Sequence, residues 1–149
     1  MRINYLPSSE KKKLLEYLKD SFGIEKIPGI IVKAGSEKMR LFTGSLTKEQ
    51  MDKLSETVRV ELVGLYSIKK ESDYRVSFDS LFLFKDQIDK NLIELDEENM
   101  KSWMKGNDLK MNLEKGVYVL KYKDFLLGCG KSNGETLFNY VPKNRRYVR

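Results

Sequence analysis

The stretch Leu126–Gly134, "LLGCGKSNG", decides how this chain is read. Its Gly130-Lys131-Ser132 has the ending of a phosphate-gripping loop, G-x-x-x-x-G-K-[ST]. Such a loop needs its first glycine at position 125, where this chain has Phe125. It also needs a following helix whose amide groups point at phosphate. Here Asn133-Gly134 reads as a turn, and "TLFNYVP" after it is β-branched, aromatic and ended by Pro142. Both flanks exclude the nucleotide loop. The stretch reads instead as a hairpin of a small β-barrel. Gly128 and Gly130 alternate along a strand, where glycine lets another backbone, a bulge or a ligand approach closely. Cys129 between them points to the other face, as a small buried thiol.

Working outward, "GVYVLKYKD" alternates Val117, Val119, Lys121 and Lys123 with Tyr118, Leu120 and Tyr122. That predicts a strand, a turn at Lys123-Asp124, a strand over 125–128, and a further strand over 136–141. Upstream, 92–95 is a short strand. Asp96 caps a helix that carries Met100, Trp103 and Met104 on one face and ends at Gly106. Asp96-Glu97-Glu98 needs no acid–base or metal role, because a helix N-terminus favours carboxylates.

In the N-terminal half, Ser8 or Ser9 caps a helix from near Glu10, with Leu14, Leu15, Leu18 and Phe22 at helical spacing and Gly23 after its end. Lys11, Lys12 and Lys13 read as a solvated face, with phosphate contact as the alternative. Runs 29–33 and 39–43 flank a turn at Gly35-Ser36 and predict a hairpin. Thr47 caps a short helix. Val58, Val60 and Leu62 predict a strand, partnered by one with Tyr74, Val76 and Phe78 on one face. The run 80–87 fits strand or helix. The expected class is α+β, in two units, 1–86 and 87–149. No Gly/Pro linker separates them, so they are expected to pack on each other.

Composition narrows the chemistry. The 149 residues include no histidine and one cysteine. Ser-His and Cys-His catalysis, an internal disulfide and a multi-cysteine zinc site are thereby excluded within the chain. Carboxylate or lysine chemistry stays open, but no convergent set is readable. No cofactor or metal is expected. The N-terminus lacks the apolar core of a signal peptide, and no apolar run is long enough for a membrane span, so a cytoplasmic location is expected. The net charge of +6 is uneven. Residues 1–109 hold 19 basic and 19 acidic residues; residues 110–149 hold 9 and 3. A basic region beside a neutral body is the electrostatic footprint of a nucleic-acid binder, or else a solubilising tail.

"ENMKSWMKGNDLK", "GVYVLKYKD" and "FLLGCGK" resemble the PUA domain, a small RNA-binding β-barrel named for pseudouridine synthases and archaeosine transglycosylases. The Met-Lys-Gly-Asn turn at 104–107 and Leu-Gly-x-Gly at 127–130 carry that likeness. In "GCGKSNGETLFNYVPKNRR", a G-x-G-K, a glycine turn, an Asn and Pro-Lys…Arg follow in order. That order is similar to the PUA domains of Sun-family RNA cytosine-5 methyltransferases. Tyr147-Val148-Arg149 and "VELVGLYSIKKESDYRVSFDSLFLF" are similar to archaeal Nip-seven-like ribosome-biogenesis proteins, in which a pre-PUA α/β domain precedes the PUA domain. The chain lacks a second cysteine and a Gly-rich cofactor fingerprint, so no methyltransferase catalytic domain is expected.

The resemblance implies a non-catalytic RNA-binding accessory protein in ribosome biogenesis or RNA modification. The implied RNA surface is Lys105, Gly106 and Asn107 at the helix-end turn, Lys131 of the hairpin, and Lys143, Arg145, Arg146 and Arg149 of the tail. The implied partners are ribosomal or transfer RNA and ribosome-assembly or RNA-modification proteins. Tyr140 and Tyr147 are candidates to stack on an unpaired base, with burial the competing role, favoured for Tyr140. A protein–protein adaptor that docks an RNA-modifying enzyme or assembly factor is the alternative function.

Overall fold

In the computed structural model, which describes residues 2–148, helix α1 runs Ser8–Phe22. Its N-cap is Pro7 rather than Ser8 or Ser9, and no side chain caps it. Proline's fixed φ suits the entry to a helix, and both serines lie inside the first turn. Leu14, Leu18 and Phe22, four residues apart, are fully buried. Gly23 at φ 81° ends the helix in the left-handed region.

The expected hairpin forms from β1 (Ile30–Ala34) and β2 (Lys38–Phe42). With β3 (Leu65–Lys70) and β4 (Tyr74–Val76) it makes an antiparallel sheet in the order β1-β2-β3-β4. Helix α2, Lys48–Thr57, starts with a capping box in which Thr47 and Gln50 satisfy each other's backbone N–H groups.

Two expectations change here. The strand expected around Val58, Val60 and Leu62 is an extended connection without a ladder, and pairing begins only at Leu65. The guanidinium of Arg40 donates to the carbonyls of Val63 and Gly64 and takes the place of ladder bonds there. Gly64, at φ 75°, lets the chain pass over the Leu41 carbonyl, where a Cβ would collide. Phe78 does not continue β4. It opens a 3-10 helix, Phe78–Gln87, which settles the ambiguous run. Three serines fix that change of direction: Ser80 Oγ lies 3.0 Å from Ser77 Oγ and 3.1 Å from Ser67 Oγ.

The second sheet contains β5 (Leu92–Glu94), β6 (Leu109–Lys110), β7 (Gly116–Tyr122), β8 (Phe125–Ser132) and β9 (Thr136–Asn139). Its order is β5-β7-β8-β9-β6, with β5 parallel to β7 and the other pairs antiparallel. A bulge between Val119 and Lys121 helps it curl. The ends of the order, β5 and β6, are not paired to each other, so the expected barrel is an open half-barrel. The two-residue β6 was not expected. Strand β9 stops at Asn139 rather than Val141, because the Asn139 side chain takes the Val141 N–H. Helix α3, Glu97–Met104, forms as expected, with Asp96 Oδ1 accepting from the Asn99 N–H at 2.8 Å.

Strands β7 and β8 bury both faces. Val117, Val119 and Cys129 join Leu14, Phe22, Ile31 and Phe84 in one core, which both sheets share. Leu120, Leu127, Leu137 and Val141 face the other way and enclose Trp103, Met100 and Met104. The Trp103 indole N–H donates to the Leu127 carbonyl at 2.8 Å. Truncating a buried ring of this kind typically costs about 3–5 kcal/mol. Cys129 is the inert core thiol expected: its Sγ lies 3.4 Å from the Val76 carbonyl, and burial pushes its pKa up to about 12.

Candidate nucleic-acid interface

The two glycines of the opening stretch admit protein. A Cβ on Gly130 would stand 2.6 Å from the Trp103 ring and 2.8 Å from the Phe138 carbonyl oxygen. One on Gly128, at φ 85°, would stand 2.9 Å from Phe78. The close approach is therefore internal.

The helix-end turn is built differently. Lys105 is the C-cap of α3, and Gly106 follows at φ 96°. Four carbonyls at a helix end lack intrahelical partners. Asn139 takes up this end of the chain: its Nδ2 donates to the carbonyls of Trp103 at 2.7 Å and Asn107 at 3.0 Å. Its own N–H donates to Asp108 Oδ1 at 2.8 Å. The Tyr147 N–H donates to the Met104 carbonyl at 2.7 Å and holds the tail against the helix. The Arg146 side chain lies directly over Gly106, where a Cβ would come within 2.7 Å of its Cδ. Arg146 Nε donates to the Val141 carbonyl at 2.9 Å. Lys105, Gly106, Asn107 and Arg146 are thus brought together, with Lys143 one short turn away. Sequence reading noted Asn139 only as a member of a motif and assigned it no role. An Asn three residues before the proline that leads a turn was the available signal.

Arg145 leaves in another direction. It makes a bidentate pair with Asp79 of the 3-10 helix, Nε to Oδ1 at 2.8 Å and Nη2 to Oδ2 at 3.1 Å. This pair raises its pKa further. Lys131 is not brought to the turn. Its Nζ lies 2.8 Å from Asp73 and 3.3 Å from Ser72 Oγ, in the β3–β4 turn of the other sheet, and the Asp73 hydrogen bond raises its pKa. Arg149 lies outside the described residues. Among the described residues, Lys105, Lys143 and Arg146 form no ion pair. The Tyr140 ring is covered by the Arg75 guanidinium at 4.0 Å, whereas Tyr147 is half-exposed. No cluster of three or more potential metal ligands occurs among the described residues, and no helix there is long and apolar enough to cross a membrane.

Residues 90–147 match the family model for the PUA domain of methyltransferase RsmF. The chain is 22% identical over 142 residues to ribosomal RNA small subunit methyltransferase F of Psychromonas ingrahamii, covering 92% of this chain and 29% of that protein. It is 22% identical over 140 residues to the protein of that name from Aeromonas salmonicida, covering 93% and 28%. The chain therefore spans less than a third of the length of these relatives. With the half-barrel, the Gly106 turn and the basic tail in place, the C-terminal part of this chain carries a PUA domain resembling those of the Sun-family RNA methyltransferases.

Proposed function

We propose that this chain is a non-catalytic RNA-binding accessory protein in ribosomal-RNA modification or ribosome assembly. In this reading, residues 1–86 form a pre-PUA unit and 87–149 bind RNA. Lys105, Lys143, Arg146 and Arg149 contact phosphates, Arg145 joins them by exchanging Asp79 for a phosphate, and the Gly106–Asn107 backbone provides the close approach. Lys131 joins them only by exchanging Asp73 for a phosphate. The observation that carries the reading is the group of cations around Gly106 that meet no carboxylate among the described residues, in the part of the chain that matches the PUA model. A phosphate gains most from such cations, because binding releases counterions without first breaking an ion pair.

Fluorescence anisotropy with a small-subunit ribosomal RNA fragment tests it across a salt series. The Lys105→Ala/Lys143→Ala/Arg146→Ala variant is expected to flatten the slope of log K against log salt by about 2 to 3, close to one per lost contact. An unchanged slope overturns the surface.

The adaptor reading is favoured by a separate observation. An apolar groove of 160 Å³ beside α2 is lined by Phe42, Met51, Leu54, Leu62 and Val63 among others, and Leu62 is 71% exposed. The relatives' unmatched length, more than two thirds of each protein, makes a methyltransferase catalytic part the occupant this reading names. Retention of RNA binding by Leu54→Asp/Leu62→Asp, with loss of co-purification with such a partner, would mark the adaptor role.

A further inference from the structure

The 3-10 helix Phe78–Gln87 has three residues per turn, so Asp79, Phe82 and Lys85 share one side. All three are exposed, whereas Ser80, Leu81 and Phe84 are buried. Phe82 is 65% exposed. Phe125, at the start of β8, is 66% exposed. Both line one open cavity of 290 Å³ together with Phe78, Lys85, Asp124 and Leu126. Among the described residues, neither ring belongs to a hydrophobic core or to an aromatic or cation–π pair.

Their charged neighbours say what would use these rings. Arg145 of the basic tail is anchored to Asp79, one turn from Phe82, and offsets that carboxylate. Lys85 stands one turn beyond Phe82. Lys123 precedes Asp124 in the β7–β8 turn, with its Nζ 5.3 Å from the Tyr122 ring. The Arg145–Asp79 pair, Phe82 and Lys85 thus follow one another along one side of the 3-10 helix. The α2 groove differs: its exposed residues are aliphatic. A cavity of about 150 Å³ already accepts one benzene-sized ring, so this one has room for a nucleobase.

Resting on the RNA-binding reading above, we propose that Phe82 and Phe125 form a stacking subsite for one unpaired base of single-stranded RNA, with Lys85 and Lys123 on the flanking phosphates. Every base has a π-face, so the subsite recognises single-strandedness and not sequence. It also extends the RNA path beyond the residues that match the PUA model.

The test uses the full chain, a short oligouridylate and a blunt RNA duplex of equal length. Phe82→Ala/Phe125→Ala is expected to lower affinity for the oligouridylate by about 5- to 150-fold per lost stack. Its salt slope should stay as in the wild type, since no phosphate contact is removed, and duplex affinity should not change. Phe82→Tyr/Phe125→Tyr should restore binding. An unchanged melting temperature shows that the fold is kept. If the alanine variant binds oligouridylate like the wild type while the tail variant does not, the subsite is overturned and the RNA reading stands. If it loses a protein partner with RNA affinity intact, the patch is a protein contact and the subsite is likewise overturned. If the wild type binds no RNA, both readings fall.

Discussion

Two regions of this protein are rich in cations, and they use them in opposite ways. At the β3–β4 turn, Lys69 meets Glu71 and Glu37, Arg75 meets Glu71, and Lys131 meets Asp73. At the α3 end, Lys105, Lys143 and Arg146 meet no carboxylate among the described residues. The first region closes the junction of the two sheets; the second leaves its field open to an external anion. A charge count along the sequence does not separate them. Lys131 and Lys143 both belong to the basic last 40 residues, yet Lys131 is largely neutralised by a residue 58 positions earlier. Availability of charge is a tertiary property, because a carboxylate at hydrogen-bond distance cancels a cation's long-range field.

The largest effect that would break this contrast comes from Asn139→Ala. It removes donors to the Trp103 and Asn107 carbonyls and the acceptor for the Val141 N–H. Leaving the part-buried Val141 N–H unpaired, together with the loss of the two bonds donated by the amide, is expected to cost about 2–3 kcal/mol, read by urea denaturation. RNA affinity should fall with it, because the Gly106 turn loosens. A variant as stable as the wild type would show that the turn does not need its brace.

Lys131→Ala sharpens the contrast from the junction side. Its ion pair with Asp73 is about one-third exposed, so its loss should cost no more than about 1 kcal/mol. The salt slope of RNA binding should stay unchanged. A flattened slope would move Lys131 into the phosphate-binding set.

The smallest effect is a pH dependence confined to the junction. The Glu71 carboxyl is held below its ordinary value of 4.5, first by the Lys69 hydrogen bond and then by Arg75. A depressed folded pKa gives stability that is full above the unfolded value and is lost as pH falls through the folded one. Melting temperature should therefore drop below about pH 4.5, and Glu71→Gln should drop less over the same interval. Equal slopes for the two proteins would remove Glu71 from the acid response.

Much of the fold was legible because it rests on local signals. The Gly23 stop, the Thr47 cap, the Asp96 cap and the β7–β8 hairpin turn each depend on residues within a few positions. The misread segments depended on distant partners. Residues 58–62 alternate like a strand, but Arg40 and the passage of Gly64 over β2 keep them out of the ladder. The strand-like start at Phe78 became a 3-10 helix through hydrogen bonds among Ser67, Ser77 and Ser80. At the candidate site, Lys105, Gly106 and Asn107 were visible as a helix-end turn, and the tail as a run of charge. The roles of Asn139 and Asp79 were not, since each acts across more than 30 residues.

By itself, the sequence determined the α+β class, the absence of histidine chemistry, the basic C-terminal region and the failure of the phosphate loop. Those properties follow from composition and short-range stereochemistry, which need no neighbour in space. Tertiary structure alone decided three things: that Gly128 and Gly130 admit Phe78 and Trp103, which cations meet carboxylates, and which aromatic rings stay exposed. Each of these is a matter of which side chains end up within a few ångströms of one another, and packing sets that.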